Sequence, residues 1–391
     1  MIYLFVIFLL VFLSIRYDIN GKIKYRDHWY YVMLVILVLM AGLRYRLMVD
    51  TPNYLFSFYH EYPDLKNFSF SDYPIGNDPF YVLINSIVKS LGGRFYVVQL
   101  IEATVVNVMV FKYIKKHSSY LFTCVFFYFV TYYFGYSMET MRASFSIVIC
   151  LFANDYILDR KWIKGYLLYL LALMFHGQTI LMFVIPLLFL LRLNKYGILV
   201  LFGAFIAGYV IQKGFGDYIE LFELGGKFDT KTQSYAESDY FSNQIGNFNF
   251  YIVNILPYMI YAIISLGYLK YFYPNNKTLR LEPFVMAGVF FLVMQMNMQI
   301  AYRYVDYFCL HFVIIYAEVF VLIAQKTKRF DWKLACVRAV FFFLPYFMTV
   351  GYVRYSRLYT IYPYSSVIER SIDKERESKY ENRPPANINE Y

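Results

Sequence analysis

Long apolar stretches separated by short polar ones make up most of this chain. A stretch of roughly 18 or more apolar residues is long enough to cross a bilayer as a helix. The pattern therefore predicts an all-α, polytopic membrane protein with about 11 to 12 transmembrane helices. The candidate spans are residues 2–15, 29–43, 94–112, 119–135, 138–158, 165–192, 196–212, 249–271, 282–299, 303–324 and 334–352.

The polar stretches predict how the chain is divided. Residues 1–352 are expected to form one transmembrane domain, and residues 353–391 a polar C-terminal tail that is partly disordered. Two loops, residues 44–78 and 213–248, are much longer than the others. No internal repeat and no separate soluble domain is recognisable in the sequence.

Lysine and arginine residues in the short loops predict the orientation, because such loops remain in the cytoplasm. Three short loops are basic, and they contain Arg16, Lys22, Lys24 and Arg26, then Lys112, Lys115 and Lys116, then Arg160, Lys161 and Lys164. Both long loops then face outward on two conditions. Residues 80–91 must form an interfacial or re-entrant helix, and residues 165–192 must form a re-entrant, broken helix that turns back at His176–Gly177. The side of the tail is left open.

Composition excludes several classes of protein. The chain is 60% hydrophobic and only 16% charged, which is incompatible with a soluble or disordered protein. The net charge of +10 lies largely in the short loops, where it sets orientation, so we predict no binding to nucleic acid. The four cysteines lie in apolar stretches without metal-type spacing, and no nucleotide-binding glycine loop occurs. Asp155 and Asp159, one helical turn apart beside basic residues, are expected to form local ion pairs.

The first candidate site follows the second span, where two arginines reach the membrane surface. Arg44 and Arg46 can hold diphosphate oxygens through bidentate hydrogen bonds. Asp50 can orient an arginine or accept a proton from a sugar hydroxyl, and Tyr54 follows one helical turn later. The alternative is that these arginines only extend to the interface and pair with the aspartate.

Two further candidates lie in the middle of the chain. Glu139 and Arg142 are three residues apart and share a helix face, so Arg142 is neutralised either by Glu139 or by an anionic ligand. His176 interrupts an apolar stretch. It either acts as a general acid or base near neutral pH or is a core histidine bonded to a carbonyl.

A polar stripe marks the tenth span. Asp306 follows Arg303 by three residues and can pair with it. The stripe lines an aqueous cavity or forms a network between helices, and the two readings remain open. Its members recur every four residues and are Gln295, Gln299, Arg303, Tyr307 and His311.

Taken together, five short motifs resemble those of the EpsG/Wzy-like polysaccharide polymerase family, in the same order. They are Gly42-Leu43-Arg44-Tyr45-Arg46 with Asp50-Thr51 and Tyr54, Asp78-Pro79-Phe80-Tyr81 with Asn85, Met141-Arg142-Ala143, Leu171-Ala172-Leu173-Met174-Phe175-His176, and Tyr302-Arg303-Tyr304 with Asp306-Tyr307. The chain departs from the family in one place, since Met48 and Val49 precede Asp50 where the family usually has a glycine.

The resemblance implies a membrane glycosyltransferase that polymerises lipid-linked oligosaccharide repeat units without a metal or other cofactor. It would transfer a growing glycan from undecaprenyl diphosphate to the next lipid-linked unit on the outer face of the bacterial inner membrane. The product would be capsule, O-antigen or exopolysaccharide. The implied partners are the undecaprenyl-diphosphate-linked oligosaccharide, membrane lipid, a chain-length regulator and a flippase.

The resemblance also suggests roles for the candidate residues. Arg142 and Arg303 would neutralise the departing diphosphate, Arg44 or Arg46 would hold the second carrier, and His176 or Asp50 would take the proton. The remaining substrate contacts would come from Tyr54, Glu139, Gln295, Tyr304, Asp306 and Tyr307. Two alternatives remain, a flippase or transporter of lipid-linked oligosaccharide and a membrane acyltransferase that modifies exopolysaccharide.

Overall fold

A computed structural model of the chain describes residues 2–221, 255–298, 301–325 and 361–368. These residues are mostly helical, and none of them forms a β-strand. Five helical segments among them are long and apolar enough to cross a membrane, namely Ile2–Ile19, Phe95–His117, Met141–Leu158, Lys277–Gln295 and Tyr302–Gln325. The all-α, polytopic membrane fold predicted from the sequence is confirmed.

Some predicted elements lie outside the described residues. They are the span at 334–352, most of the long loop 213–248, Gln299 of the polar stripe, and the tail apart from residues 361–368. The fold and site are therefore described from the remaining parts of the chain.

The chain folds into two compact units, Met1–Val184 with Tyr352–Tyr391, and Ile185–Gly351. The helices of the first unit are α1 (Ile2–Leu13), α2 (Arg26–Gly42), α3 (Thr51–Phe56), α4 (Pro79–Ser90), α5 (Phe95–His117), α6 (Leu121–Thr131), α7 (Met141–Leu158) and α8 (Trp162–Leu173). The helices of the second unit are α9 (Lys195–Leu221), α10 (Leu256–Phe272), α11 (Glu282–Gln295), α12 (Tyr302–Val305) and α13 (Cys309–Gln325).

Helices α2 and α5 form an antiparallel pair in the first unit. Lys115 Nζ lies 3.1 Å from Asp27 Oδ1 at one end of the pair. At the other end the helices approach so closely that a Cβ added to Gly42 would lie 2.6 Å from Leu100 Cδ1. A larger residue than glycine would force the pair apart at this point.

Ion pairs connect the helix ends that the sequence predicts to be cytoplasmic. Asp155 near the end of α7 accepts from Lys116 Nζ at 2.6 Å and lies 2.7 Å from His117 Nε2 at the end of α5. We call this end of the first unit, which contains Asp27, Lys115 and Asp155, the basic end, and the opposite end the loop end. The expectation of local ion pairing for Asp155 is wrong, because its carboxylate is buried and pairs with Lys116 and His117 of α5 instead of neighbouring residues.

Helix α8 does not continue through the apolar stretch 165–192. It ends at Leu173, and a 3₁₀ segment begins at Gly177 and ends at Phe183. The Tyr166 hydroxyl donates to the Phe183 carbonyl at 3.3 Å, and the Tyr169 and Phe183 rings are 5.9 Å apart. The chain therefore reverses direction between these contacts, which confirms the predicted break near His176.

Helix α4 contains 12 residues, which corresponds to about 18 Å of helix. That is well short of the roughly 30 Å hydrocarbon core. Tyr81 and Val88 on its buried face join a hydrophobic cluster with Phe95 and Val98 of α5. These features agree with the interfacial or re-entrant helix predicted for residues 80–91.

The buried Asp155 carboxylate leads to a prediction about stability. Asp155→Asn should destabilise the protein by about 2 kcal/mol, because Lys116 and His117 lose their charged acceptor while Lys116 stays partly hydrated. Asp159→Asn, at an exposed position one turn later, is the matched control and should change stability by less than about 0.5 kcal/mol. Thermal unfolding of the detergent-solubilised proteins measures both. Equal shifts in the two variants would mean that the buried ion pairs do not hold the helices together.

Candidate active site

The long loop 44–78 ends at Asp78, and its backbone there directs the carboxylate inward. Asp78 has φ 55° and ψ 45°, the left-handed conformation, and Pro79 begins α4 immediately afterwards. Aspartate is among the few non-glycine residues that adopt this conformation readily. The Asp78 side chain is only 9% exposed, so its charge needs partners within the protein.

Three groups from two other segments surround the Asp78 carboxylate. Oδ2 accepts a hydrogen bond from Arg142 Nη1 at 2.7 Å. Oδ1 accepts one from the Gly177 backbone amide at 3.1 Å and lies 3.7 Å from His176 Nδ1. One carboxylate thus connects the end of the loop, the start of α7 and the turn after α8.

Arg142 occupies the first turn of α7, where the helix dipole disfavours positive charge. Asp78 compensates for this unfavourable position. The Arg142 guanidinium also faces the Tyr54 ring, with Cζ 5.6 Å from the ring centre. Its side chain remains 37% exposed, and among the described residues its buried Nε has no hydrogen-bond partner. Arg142 therefore has donors left for an anion.

His176 presents its two ring nitrogens to different neighbours. Nδ1 faces Asp78, and Nε2 lies 3.3 Å from Gln178 Oε1. A proton on Nδ1 would be attracted by the carboxylate, but Gln178 Oε1 can only accept, so Nε2 donates to it in this arrangement. Nε2 could accept from a substrate hydroxyl only after Gln178 moved away. The side chain is 19% exposed, so a substrate hydroxyl can approach it.

Close backbone packing fixes the turn that contains His176. The Phe80 amide donates to the Met174 carbonyl at 3.0 Å. A Cβ added to Gly177 would lie only 2.6 Å from the Gly76 carbonyl oxygen, so glycine permits the approach of loop and turn. The Phe175 ring stacks on Phe145 of α7 with ring centres 4.9 Å apart. The position of His176 is therefore set by the loop as much as by its own segment.

The charges around Asp78 determine its protonation state. Burial alone would raise the pKa of Asp78, but the neighbouring His176 ring, the Arg142 charge and the Gly177 amide outweigh this and lower the pKa below the usual aspartate value. Burial raises the pKa of Tyr62 to about 12 despite the nearby Arg142 charge. Asp78 is therefore an anion at neutral pH, and Tyr62 is a neutral phenol.

The site offers a carboxylate-oriented imidazole beside a partly exposed guanidinium. The first pair can accept a proton from a hydroxyl, and the guanidinium can stabilise a developing negative charge on oxygen. No group of three or more histidine, cysteine, aspartate or glutamate side chains suited to a metal ion occurs in the part of the chain that the structure describes.

Some of the other sequence-predicted site residues lie near this cluster. Asp50 precedes α3, and its carbonyl accepts from the Tyr54 amide at 3.1 Å. Burial raises the pKa of Tyr54, and the negative charge of Asp50 adds to this rise. Arg46, in the same loop, is half-buried and lies against the Tyr45 ring, with Cζ 5.4 Å from its centre.

Arg44 lies deeper than its place at the end of a span suggested. Its side chain is completely buried, and Nη1 donates to the carbonyls of Ala41 at 2.7 Å and Ser137 at 3.4 Å. Glu139 is half-buried in the π-helical turn Gly135–Glu139 before α7. The sequence alone would not distinguish Arg44 from Arg46, since both follow the same span.

The fifth motif, Tyr302-Arg303-Tyr304 with Asp306-Tyr307, belongs to the second unit. Arg303 Nε lies 3.4 Å from the Tyr302 hydroxyl, and the Tyr304 ring lies 5.4 Å from Phe291. Tyr307 and His311 are buried, and His311 Nδ1 lies 3.2 Å from the Phe308 carbonyl. Gln295 and Asp306 are half-buried.

Two acidic residues gain importance only from the structure. Asp78 was part of a motif in the sequence but was not itself a candidate. Glu102 was not singled out, yet it is fully buried within α5, and neither carboxylate oxygen has a hydrogen-bond partner among the described residues. The positive charge of Arg44 interacts electrostatically with the Glu102 carboxyl group. A glutamate within an apolar span was the sequence signal that could have drawn attention to it.

Comparison with known protein families identifies the family of this chain. The sequence matches the EpsG family over residues 27–366, which covers most of the chain and all the residues of the cluster. The chain belongs to the EpsG family. No curated protein and no solved structure gives a significant match. Family membership suggests a polysaccharide polymerase-type function and a lipid-linked polysaccharide substrate.

The lowered pKa of Asp78 leads to a prediction about pH. A carboxylate whose pKa is lowered in the folded state stabilises the fold above its unfolded pKa of about 3.9 and loses that contribution as the pH falls through the folded value. Asp78→Asn should therefore cost about 2 kcal/mol at neutral pH, with the figure reduced because Arg142 is partly hydrated.

Thermal unfolding at pH 7 and at progressively lower pH measures this difference. The curves of wild type and Asp78→Asn should converge below the usual aspartate range. A destabilisation that stayed constant down to the lowest pH would show that the charge of Asp78 is not what stabilises the cluster.

The contact between Gly76 and Gly177 leads to a second prediction for this site. Gly177→Ala should destabilise the fold by about 1–3 kcal/mol, because the added Cβ forces the loop and the turn apart. Gly135→Ala is the control, since a Cβ there meets nothing within 4 Å. Thermal unfolding in detergent compares the two. If Gly177→Ala were as stable as Gly135→Ala, the loop would not be tightly packed against the turn.

Proposed function

We propose that the protein polymerises lipid-linked oligosaccharide repeat units on the outer face of a bacterial inner membrane. It would transfer a growing glycan from undecaprenyl diphosphate to the next lipid-linked unit. Family membership supports a polymerase-type function. The observation that carries the proposal is the cluster in which Asp78 contacts both Arg142 and the turn of His176. The basic residues at the opposite end support an outward position of this cluster.

The reaction forms one bond and breaks another. The oxygen of an acceptor hydroxyl bonds to the anomeric carbon of the donor, and the bond from that carbon to the diphosphate oxygen breaks. The diphosphate leaves with the bonding electron pair, and the hydroxyl proton passes to a base. No nucleotide is consumed, because the diphosphate bond of the donor lipid supplies the leaving group.

We assign Arg142 to the leaving group. Its guanidinium is partly exposed beside the buried carboxylate that holds it, so the exposed part can face a ligand. Charge developing on a diphosphate oxygen is stabilised by a cation held in place beforehand, and such stabilisation is usually the largest catalytic contribution. Tyr54, packed against the guanidinium, would help to orient it.

We assign the proton to His176 rather than Asp50, a choice that the sequence left open. Asp78 beside Nδ1 would favour a proton on that nitrogen, as in other carboxylate-histidine pairs. Nε2 could then accept from the sugar hydroxyl once that hydroxyl displaces Gln178 Oε1, which cannot donate. The distance of 3.7 Å is longer than a hydrogen bond, and such contacts often shorten when substrate binds. Asp50 would then support Tyr54 and the loop.

The remaining candidates keep roles in carrier and sugar binding within the proposal. Arg46 is more accessible than Arg44, so we assign the second carrier to Arg46. For Arg303 we keep the role that the family resemblance implies, neutralisation of a diphosphate. Sugar contacts would come from Glu139, Gln295, Tyr304, Asp306 and Tyr307. A chain-length regulator and a flippase are the expected partners, and the product would be capsule, O-antigen or exopolysaccharide.

Complementation of a deletion strain tests the proposal. Arg142→Ala should reduce polymer by at least about 100-fold, because the leaving group loses its cation. Arg142→Lys should recover only part of the activity, since lysine lacks the planar fork. Arg94→Ala removes an exposed arginine just before α5, at the same end of the unit, and should polymerise normally. Mass spectrometry of lipid-linked glycans and immunoblots of the membrane fraction provide the measurements.

The glycan that accumulates identifies the step that is lost. Single repeat units on the outer leaflet, with normal amounts of protein in the membrane, are the expected result for Arg142→Ala. Units that remain on the inner leaflet would show instead that the protein is a flippase. Normal long chains in Arg142→Ala would overturn the assignment of Arg142.

A further inference from the structure

A short segment near the C-terminus lies against the end of α2. The Tyr45 amide donates to the Ser365 carbonyl at 2.9 Å, and the Val367 amide donates to the Leu43 carbonyl at 2.8 Å. These two bonds form an antiparallel bridge between Arg44 and Ser366. We call residues 361–368 the strap.

Side chains add to the backbone contacts of the strap. The Tyr364 hydroxyl donates to the Met40 carbonyl at 3.0 Å, and the Tyr3 hydroxyl donates to the Ile361 carbonyl at 2.8 Å. The Tyr3 ring lies edge-on to Tyr364, with centres 5.9 Å apart, and Ile361 is buried. The strap is thus joined to both α1 and α2, and the match to the EpsG family extends into it.

The strap lies at the loop end of the first unit. It contacts the residues that follow Gly42, and Gly42 packs against Leu100 near the start of α5. The Tyr45 and Tyr96 rings, 6.1 Å apart, lie at the same level. The basic end, where Lys115 pairs with Asp27, is at the opposite end of the same two helices. The strap and the Asp78 cluster therefore share an end of the unit.

The loop segment that the strap contacts has an unusual backbone. Arg46 and Met48 have φ values of 48° and 76°, which are unfavourable for residues with a Cβ. Two such residues close together persist only where surrounding contacts fix the chain. The same segment continues into Asp50 and α3, and α3 places the Tyr54 ring against Arg142.

We propose that the strap lies on the outer side of the membrane. We further propose that it positions the loop whose Tyr54 ring packs against Arg142. A segment about 300 residues away along the chain thereby becomes part of the support of the candidate site. The inference concerns the site and its side of the membrane, and it does not depend on which reaction the site performs.

Thiol labelling in intact cells tests the location. Single cysteines are introduced at Tyr362, exposed within the strap, at Arg94, exposed at the loop end, and at Lys161, exposed after α7. A membrane-impermeant maleimide should label Tyr362→Cys and Arg94→Cys in intact cells, and Lys161→Cys only after permeabilisation. The unsubstituted protein gives the background from its own cysteines. Labelling of Tyr362→Cys only after permeabilisation, as for Lys161→Cys, would overturn the proposed location.

A substitution that removes one strap hydrogen bond tests the positioning role in the full chain. Val367→Pro deletes the amide that donates to Leu43, whereas Val367→Ala shortens the side chain and keeps the amide. The readout is the labelling rate of a cysteine introduced at Thr51, a buried position of α3 that a reagent reaches only when the loop opens. Val367→Pro should raise this rate about tenfold through local opening, and Val367→Ala should leave it unchanged.

A cysteine introduced at Val98, which is buried in α5, serves as the internal control in the same backgrounds. Its rate should stay constant in Val367→Pro, since the change is confined to the loop. Equal rates at Thr51→Cys in Val367→Pro and Val367→Ala would overturn the positioning role, as would an equal rise at Val98→Cys, which would indicate general unfolding.

Discussion

The buried carboxylate of Asp78 is the constraint on which the loop end of the first unit depends. A charge removed from water is stable only where donors replace the water, and here the donors come from α7 and from the turn after α8. The loop must therefore end in a left-handed residue, α7 must begin with Arg142, and the chain must turn back near Gly177. None of these three features would be favourable without the other two.

The two ends of the first unit use charge in different ways. At the basic end the side chains of Asp155 and His117 are 3% and 7% exposed, and their pairing holds helices together. At the loop end the Arg142 side chain is 37% exposed beside a buried partner. A closed ion pair can only stabilise, whereas a half-open one has donors left for a ligand. Lys116, which pairs with the same Asp155 carboxylate, is 48% exposed, so the contrast holds for His117 and not for every partner at the basic end.

The apolar pattern predicts the spans well, because the cost of placing polar residues in hydrocarbon is local to each segment. The break near His176 was also predictable, since a single crossing of residues 165–192 would place many later basic residues outside. Asp78 was not distinguishable from Asp50, because its role depends on the Gly177 turn 99 residues later, which no local pattern reveals. Arg44 resembles a surface arginine in sequence, and only the close packing of α2 on α5 and the strap explain its burial.

The turn after α8 shows why a membrane protein can interrupt a helix at this point. Backbone groups freed by a broken helix must find partners, since lipid offers none. The Met174 carbonyl accepts from Phe80, the Gly177 amide donates to Asp78, and the Thr179 hydroxyl donates to Ser146 at 3.0 Å. The loop that satisfies the turn also carries the carboxylate that orients His176. Because the same contacts support the backbone and position the imidazole, the loop holds His176 in place as much as its own segment does.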